Sequence, residues 1–388
     1  MLLENDWYPA STRVANEAST LVQHNYRVSV ICPARKGELF RETVDGVQVY
    51  RYPAFLAAGS RPGLVVEYAW AMITMVALTF WVWIRHGFDV IHLANPPDIL
   101  FLIAVPYKLL GKKLVYDQHD PVPELYQAKY RRHVLMLRIM MLLEKLSCRF
   151  ADAILVPNES IRGRLPERYR IPWHKVSIVG NGPNLRRLQL LGRLPPAARR
   201  NGKTVIAYIG YLGSQDGVEW LLAALRSLAY DLGRQDFHCL VIGDGDRRPT
   251  LERQAQRLGL EGHLSFVGRL PWAEAMRRLA TATICLDPAP LNIYTDNVTP
   301  LKVLEYMALG KPMVLYDLLE PRAAAGDAAL YARPNDGPDF ARRIAQLMDD
   351  PAARERLGRA GQKRIKERLS WEHGARSLLE AYAALDGY

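Results

Sequence analysis

Short apolar runs rich in β-branched residues alternate with longer amphipathic stretches along most of this chain. Such runs predict strands, and the stretches between them predict helices. In the first half, strands are predicted at 2–4, 28–31, 47–50, 90–93, 114–116, 153–156 and 176–179. In the second half they are predicted at 205–209, 239–242, 264–267, 284–287 and 313–316, with helices at 218–230, 249–258 and 271–282 between them.

Alternation of strand and helix predicts parallel sheets covered by helices on both faces. It occurs twice, interrupted by a stretch rich in Pro, Gly and Arg at 181–203, which is interpreted as a linker. We therefore expect two doubly wound domains, at 1–185 and 186–370, and a last helix at 371–388 that packs back on the first domain. Two such domains facing each other would form a cleft, with the chemistry in loops that follow strands.

Composition and charge narrow the protein class. Apolar residues make up 49% of the 388 residues and charged residues 23%, which is typical of a globular protein. The formal charge of +11 suits phosphate-bearing ligands, nucleic acid or anionic lipid, and generic surface charge explains it equally well. The four cysteines lie far apart without a CxxC pair, which disfavours zinc and redox motifs and predicts buried thiols of a reducing compartment. No secretion signal is recognisable, so a cytoplasmic location is expected.

Two segments of the first predicted domain are candidates for membrane contact. Residues 69–84 form a sixteen-residue run without a charge, shorter than the ~20 residues that span a bilayer. A buried helix explains this run, but its three tryptophans also suit a membrane interface. Residues 129–150 mix Arg and Lys with a broad apolar face, as interfacial helices do. Peripheral contact with the inner face of the membrane is therefore a hypothesis for this domain.

Two glycine turns follow predicted strands of the second domain, "IGYLG" at 209–213 and "VIGDGD" at 241–246. Glycine lets the backbone approach a ligand, and free amides at a helix start attract phosphate. Neither turn is a complete dinucleotide fingerprint or a P-loop, so each is weak by itself.

The stretch "NVTPLKVLEYMALGKP" at 297–312 carries more information. Thr299 suits a helix cap, Pro300 suits the first turn, and Gly310 is expected to end the helix. Lys302 and Glu305 share one face near the start, so the lysine and free amides could hold a diphosphate and the glutamate a ribose. An exposed Lys–Glu surface pair is an equally weighted alternative.

A resemblance then becomes visible in "PLKVLEYMALGKPMV", which is similar to the donor-site helix of retaining glycosyltransferases of family 4, proteins of the GT-B fold. It extends over nearly the whole chain. The motifs that carry it, in order, are "DVIHLANPPD", "YDQHDPVPELY", "NGPN", "IGYLGSQDGVEWLLAAL", "VIGDGD", "SFVGRLPWAEAMRRLATATICLDPAP" and "LSWEHGARSLLEAY".

The resemblance implies roles for particular residues. His119, Lys302 and Glu305 are the implied catalytic residues: His119 faces the donor sugar, and Glu305 binds the ribose hydroxyls. A core histidine is the alternative for His119. The implied donor-binding set is Gly210, Gly213, Ser214, Gly243, Arg269, Leu270, Asn297, Val298, Thr299, Pro300, Leu301 and Glu305. On the acceptor side the candidates are Arg13, Asn95 and Asp98, and a solvated arginine explains Arg13 equally well.

Within the second predicted domain, the chain departs from the family pattern at two places. The family often has two glutamates separated by seven residues, and Asn297 stands where the first would be. Asn297, with Asp296, is the candidate to bind the sugar hydroxyls instead. The usual Arg and Lys of the first glycine loop are also absent, so phosphate neutralisation is expected to fall on Lys302 and the helix amides.

The sequence thus predicts an α/β protein, and the resemblance implies the GT-B fold and the activity of a retaining hexosyltransferase. It would move a sugar from a nucleoside diphosphate to a glycan or polyprenyl-linked acceptor in cell-surface polysaccharide or glycolipid synthesis. Because the loops expected to hold the donor lack a DxD pair, metal independence is predicted, with no cofactor and no nucleic-acid partner. A sugar-nucleotide epimerase and a noncatalytic sugar-nucleotide binding protein stay open as alternatives, and a dehydrogenase is disfavoured.

Overall fold

The computed structural model describes residues 1–54, 61–130, 134–200 and 202–386. Parts of three predicted segments lie outside these residues: 131–133 of the segment 129–150, 201 of the linker, and 387–388 of the last helix. The chain divides into two compact units. The first unit comprises Met1–Gly180 and Glu372–Tyr388, and the second unit is Asn181–Trp371.

The sheet of the first unit has eight strands in the described residues, in the order β3-β4-β2-β1-β5-β6-β7-β8. Their bounds are β1 Leu2–Leu3, β2 Ser29–Ala34, β3 Arg41–Val44, β4 Val47–Pro53, β5 Val90–Ala94, β6 Lys113–Asp117, β7 Ala153–Val156 and β8 Val176–Ile178. All these pairings are parallel except that of β3 with β4. The predicted strands of this half are therefore present, joined by one antiparallel edge strand.

Strand β3 was absent from the prediction. It forms a hairpin with β4 through Asp45 and Gly46, whose φ angles are +50° and +81°. Positive φ at both central residues is typical of the tight turns that connect hairpin strands, and an Asp-Gly pair is a strong sequence signal for them. The signal was present in "RETVDGVQVY" and could have revealed the strand.

Helices cover both faces of this sheet. They are α1 Thr12–Gln23, α2 Arg61–His86, α3 Phe101–Leu109, α4 Val122–Lys129, α5 Val134–Phe150, α6 Glu159–Tyr169 and, from the end of the chain, α15 Trp371–Asp386. Helices α2, α3 and α5 pack on one face around a shared apolar core. On α15, Tyr382 stacks against His92 and meets Tyr26 edge to face.

Helix α2 is longer than the uncharged run at 69–84, because the residues that flank the run continue the helix. Within the described part of the chain, Val66–His86 is the one helix segment long and apolar enough to cross a membrane. Of its most apolar 18 residues, 22% are buried inside the protein. Length and composition alone are weak grounds for a membrane span, since core helices pass the same test.

The second unit contains seven described strands, ordered β12-β11-β10-β13-β14-β15, with β9 paired to β10. Their bounds are β9 Arg199–Arg200, β10 Lys203–Ile209, β11 Phe237–Ile242, β12 Leu264–Gly268, β13 Ile284–Asp287, β14 Met313–Tyr316 and β15 Ala329–Ala332. Only the β9 pairing is antiparallel among them. Strands β9 and β15 are additional to those predicted.

Helices also flank this sheet on both faces, around two apolar cores. They are α7 Leu185–Gln189, α8 Val218–Arg226, α9 Arg248–Arg257, α10 Trp272–Ala280, α11 Leu301–Ala308, α12 Leu319–Ala325, α13 Gly337–Asp349 and α14 Pro351–Arg364. Each unit is thus a parallel sheet between helix layers. The predicted fold class, two doubly wound Rossmann-like domains, is confirmed, and the four cysteines are buried free thiols as expected.

Candidate functional site

The two glycine turns meet at the carboxyl ends of β10 and β11. The Gly210 amide donates to the Ile242 carbonyl at 3.0 Å, and the Gly243 amide donates to the Gly268 carbonyl at 2.9 Å. Gly243 has a φ of +137°, and a Cβ there would lie 1.9 Å from the Gly210 carbonyl oxygen. Only glycine allows the backbones of the two turns to approach so closely.

A pocket of about 610 Å³ opens over these turns. Its walls bring the predicted donor-binding residues Gly210, Gly243 and Arg269 together. They also include four residues that were not predicted: Tyr211, Asp244, Gly245 and Asp246. These four lie beside the glycines of the two turns, so the turns themselves were the available signal.

Helix α11 begins near the first glycine turn, since a Cβ on Gly210 would lie 3.1 Å from Lys302 Nζ. Pro300, rather than Thr299, stands at its N-cap, and the Thr299 hydroxyl donates to Glu320 Oε2 at 3.0 Å. The expected Thr299 cap is therefore wrong, because Pro300 has extended backbone and Leu301 is the first helical residue. At the other end Gly310 has a φ of +66° and follows the helix, as predicted.

Lys302 lies mostly buried among acidic and aromatic groups. Its Nζ is 3.4 Å from Asp287 Oδ1, 3.5 Å from Asp216 Oδ1 and 3.3 Å from the Tyr208 hydroxyl. Burial would lower the pKa of Lys302, but Asp287, Tyr208 and Asp216 together raise it well above its ordinary value. A Cβ placed on Gly210 would lie 3.1 Å from Nζ, so a protonated amine lies directly against the first glycine turn.

The same cluster changes how Asp216 titrates. Burial raises the pKa of Asp216, and Asp287 adds to the rise, while Lys302 opposes it. Sequence reasoning did not find this cluster, because Tyr208 and Asp216 lie in and after β10, Asp287 ends β13, and the three show no common motif. The cluster gives Lys302 a fixed position and charge.

Glu305 lies half-buried about one turn further along α11. The Trp272 indole donates a hydrogen bond to its carboxylate, and Lys302 and Arg187 add positive potential. Burial outweighs these three and raises the pKa of Glu305 to about 7. Arg187 also lies over the Trp272 ring, 4.3 Å from its centroid. A carboxylate in this environment gains from hydroxyl donors, such as those of a ribose.

The remaining predicted residues of the second unit lie in loops around this helix. Gly213 and Ser214 lie between β10 and α8, Leu270 packs partly against an apolar core, and Val298 is half-buried. The side-chain Nδ2 of Asn297 donates to the Ile293 carbonyl at 2.9 Å. Asp296 Oδ1 accepts a hydrogen bond from the main-chain amide of Leu319 at 2.7 Å. Both side chains expected at the sugar are thus engaged in holding their own loop.

His119 lies in the first unit, in the loop after β6. Its Nε2 forms a short hydrogen bond with Asp117 Oδ2, and its side chain is 16% exposed. Asp117, at the end of β6, is completely buried and accepts from Arg13 Nη2 at 2.5 Å. Burial would raise the pKa of Asp117, but Arg13 and His119 outweigh it and hold that pKa well below its usual value.

Arg13 was predicted to contact the acceptor or to lie in solvent, and the structure supports neither. It is 3% exposed, its Nη1 donates to the Val179 carbonyl at 2.7 Å, and its Nε lies 3.2 Å from Glu17 Oε1. The guanidinium is fully committed to Asp117, Glu17 and the backbone. Because α1 turns its Arg13 side inward, this arginine is structural.

Asn95 and Asp98, the other acceptor-side candidates, are also buried. Asn95 Oδ1 accepts from the amides of His119 at 2.6 Å and Asp120 at 3.1 Å, and Asn95 Nδ2 donates to Asp98 Oδ1 at 2.9 Å. The Tyr116 hydroxyl donates to the same Asp98 oxygen at 2.5 Å. The two residues are therefore inaccessible to an acceptor and brace the loop that carries His119.

Among the described residues, Glu17, His92 and Asp117 form a group whose ligand atoms lie close enough to share a metal ion. Arg13 already contacts both carboxylates. A divalent cation beside a buried guanidinium would be repelled, so these residues do not fit a metal site.

Two family profiles match the chain. "Glycosyltransferase Family 4" matches residues 10–187, and "Glycosyl transferases group 1" matches residues 195–364. The chain resembles glycogen synthase of Mycobacterium tuberculosis, with 24% identity over 61% of this chain and 55% of that protein. It also resembles a GDP-mannose-dependent monoacylated alpha-(1-6)-phosphatidylinositol monomannoside mannosyltransferase of Corynebacterium glutamicum, with 28% identity over 43% of this chain and 44% of that protein. The matches thus span about half the length of these relatives.

Solved structures agree on the fold. Sucrose-phosphate synthase from Thermosynechococcus elongatus has a TM-score of 0.77 and 19% identity, with 99% of this chain and 95% of that chain covered. Anabaena Alr3699/HepE, solved in complex with UDP and glucose, has a TM-score of 0.72 and 16% identity, with 99% of both chains covered. Two Rossmann-like units of this kind define a GT-B protein. The chain belongs to the family 4 glycosyltransferases.

Proposed function

We propose that this protein is a retaining, metal-independent hexosyltransferase that moves a sugar from a nucleoside diphosphate to a glycan or lipid-linked acceptor. The observation that carries the proposal is the arrangement in the second unit. There the Lys302 amine lies against the Gly210 turn, and Glu305 lies one turn further along the same helix. Family membership supplies the reaction class, and the two side chains supply the chemistry for a diphosphate and a ribose.

Lys302 is suited to the leaving group. When a glycosidic bond to a diphosphate breaks, negative charge grows on the departing phosphate, and preorganised positive charge stabilises that state selectively. Asp287 and Asp216 keep the Lys302 amine protonated and fixed before any ligand arrives. This positive charge, together with the amides at the start of α11, supports transfer without a metal ion, and full activity in excess EDTA is expected.

Names of relatives support the donor and acceptor classes. One relative is named for GDP-mannose and a phosphatidylinositol mannoside, one is a glycogen synthase, and one fold neighbour was solved with UDP and glucose. We infer front-face attack by the acceptor, assisted by the leaving phosphate, and we assign His119 a catalytic role.

The first unit carries the features expected of an acceptor domain that lies on a membrane. Helix α2 turns Ala71 and Met75 into the core. It leaves Ile73, Phe80 and Ile84 between 53% and 67% exposed. On α3, Leu109 is exposed, and on α5, Leu135 is exposed. Because α3 packs against both α2 and α5, these apolar side chains belong to one side of the unit.

Basic residues accompany this apolar side. Arg85 lies at the end of α2, and Arg138 and Arg149 lie on α5, all exposed. Each arginine or lysine near an anionic bilayer contributes about 1 kcal/mol of attraction. We infer that this side rests on the cytoplasmic face of the membrane, where a polyprenyl-linked acceptor would be available.

The test is a panel of UDP-, GDP-, ADP- and dTDP-sugars, screened by thermal shift and then by donor hydrolysis and transfer. A bound donor that is turned over with an alpha-configured product, with and without EDTA, is the expected result. Binding without turnover would favour a noncatalytic binding protein, and interconversion of the sugar without transfer would favour an epimerase. An inverted product would remove the retaining mechanism while leaving the donor site intact.

A further inference from the structure

The loop that carries His119 is held at two separate points by buried groups. Asn95 accepts hydrogen bonds from the main-chain amides of His119 and Asp120, which fixes the backbone. Asp117 contacts the imidazole ring itself through Nε2. Within the part of the chain that the structure describes, no protein group forms a hydrogen bond with His119 Nδ1.

We propose that Asp117 is a positioning residue for His119: with Arg13 it fixes the rotamer and tautomer of the ring, so that Nδ1 is the nitrogen left available to a ligand. This inference rests on the proposed function, since it assigns a task to a histidine taken to act in transfer. It concerns a residue that the family resemblance did not single out.

The tautomer follows from the charge on Asp117. An ionised carboxylate accepts hydrogen bonds and donates none, so Nε2 of His119 must carry the proton that joins them. The arginine keeps Asp117 ionised through two contacts, Nη2 to Oδ1 at 2.5 Å and Nε to Oδ2 at 3.0 Å. The hydrogen bond made by one ring nitrogen sets the tautomer, and it therefore determines which nitrogen is free to bind a ligand or accept a proton.

Arg13 contacts two carboxylates, those of Asp117 and Glu17, whose pKa values are shifted in opposite directions. Burial raises the pKa of Glu17 well above its usual value and the negative charge of Asp117 adds to this, although Arg13 opposes it. The negative charge of the cluster is therefore concentrated on Asp117, the carboxylate that contacts His119. Glu17 contacts Arg13 and lies 3.5 Å from His92 Nε2, which is also 3.6 Å from Asp117 Oδ2.

The arginine is itself immobilised. Its Nη1 donates to the Val179 carbonyl, which lies at the end of the first segment of this unit, beyond β8. Helix α1, strand β6 and the chain after β8 thus meet at one guanidinium. Turning Asp117 away from His119 would break its contacts with this buried cation, which is a costly change.

A matched pair of variants separates positioning from general support. Asp117→Asn removes the charge and keeps the shape. It also removes one cause of the raised Glu17 pKa, so Glu17 at 3.2 Å can ionise and neutralise Arg13, and the protein is expected to fold. Glu17→Gln removes the other carboxylate of the same guanidinium without contact to His119. Both are compared in the full chain, by thermal unfolding, by ¹⁵N spectra of the histidine rings, and by donor turnover kinetics.

In the wild type, the spectrum of His119 should show a proton fixed on Nε2, and Asp117→Asn should lose that signature while Glu17→Gln retains it. Asp117→Asn should lower kcat about 10- to 100-fold and change the donor KM less than about threefold, as expected when an orienting partner is lost. A fixed Nε2 proton that survives Asp117→Asn, or equal kcat losses in the two variants, would overturn the inference. If the wild type turns over no donor, the proposed function fails, and the ring spectra alone decide the inference.

Discussion

Lys302 and Glu305 lie about one turn apart on α11, yet their surroundings push them to different ionisation behaviour. Lys302 is compensated by Asp287 and Asp216 and stays protonated. Glu305 has no comparable partner, and burial raises its pKa to about 7. The difference accords with the two ligand groups proposed for them, because a diphosphate needs a permanent cation and ribose hydroxyls can share a carboxylate that titrates near neutrality.

Replacing Lys302 tests its double role. Lys302→Met leaves Asp287, 2% exposed, without its cation, which should cost about 3–5 kcal/mol of unfolding free energy. Adding Asp287→Asn should restore most of that stability. Nucleoside diphosphate affinity should stay about 10- to 100-fold below wild type in the double variant, because a charge-assisted contact is worth roughly 1.5–3 kcal/mol. Chemical unfolding and calorimetric titration measure the two effects. Affinity that returns with stability would assign Lys302 a structural role only.

The raised pKa of Glu305 predicts a pH dependence of binding. A deprotonated carboxylate accepts hydroxyl hydrogen bonds better, so nucleoside diphosphate affinity should rise as pH passes through about 7. The terminal phosphate of the ligand also titrates near pH 6, and that slope should remain in Glu305→Gln while the slope near pH 7 disappears. Glu274→Gln, which changes an exposed side chain of α10, is the control. A Gln variant with the same pH profile as the wild type would contradict this role.

Folding stability should respond with the opposite sign. The folded-state pKa of Glu305 lies above its ordinary 4.5, so the protonated form is favoured in the folded protein. That contribution is complete below about pH 4.5 and is lost as pH rises through about 7. Glu305→Gln should therefore unfold at a higher temperature than the wild type at pH 8, and the difference should fade below pH 5. Scanning calorimetry across this range would show a constant difference if the carboxylate were not buried in this way.

At the scale of elements, the close approach of the two glycine turns forms the floor of the pocket. Gly243→Ala should destabilise the second unit and abolish nucleotide binding, because its Cβ would lie 1.9 Å from the Gly210 carbonyl oxygen. Gly262→Ala, where a Cβ meets nothing within 4 Å, is the matched control and should be neutral. Thermal unfolding with and without nucleotide measures both. A stable Gly243→Ala protein that binds nucleotide normally would refute this reading of the turns.

Helix α2 is predicted to contact the membrane through its exposed apolar side chains. Ile73→Asp with Ile84→Asp should reduce co-sedimentation with vesicles of anionic phospholipid at low salt at least about tenfold and leave the unfolding temperature nearly unchanged, because both side chains are exposed. Leu190→Asp, a similarly exposed leucine of the second unit, should have no effect. If the α2 variant binds vesicles as the wild type does, this side of the first unit is not the docking surface.

The sequence was sufficient for most elements but not for their partners. Short apolar runs rich in β-branched residues predicted the strands of both sheets except β3, β9 and β15, since such patterns are local. The pairing of Lys302 with Asp216 was not predictable in the same way, because the two residues are 86 positions apart and meet only once β10 and α11 are placed. The burial of Arg13 is a similar case, as it depends on Asp117, 104 positions away.

Over the whole molecule, the resemblance indicated the family and the helix at the candidate site. The structure then changed which candidate residues are accessible to a ligand. Asn95, Asp98 and Arg13 were acceptor-side candidates because they follow or flank strands, where ligands bind in this architecture. In the structure these three are buried and support the loop of His119. The second glycine turn and Arg269 needed no such revision, since their pocket is open.

The most direct measurement is a crystal structure of the protein with UDP or GDP bound. The diphosphate should lie against the Lys302 amine and the Gly210 turn, with both ribose hydroxyls donating to Glu305. A nucleotide found at another place on the second unit, with Glu305 still hydrogen-bonded only to Trp272, would contradict the account.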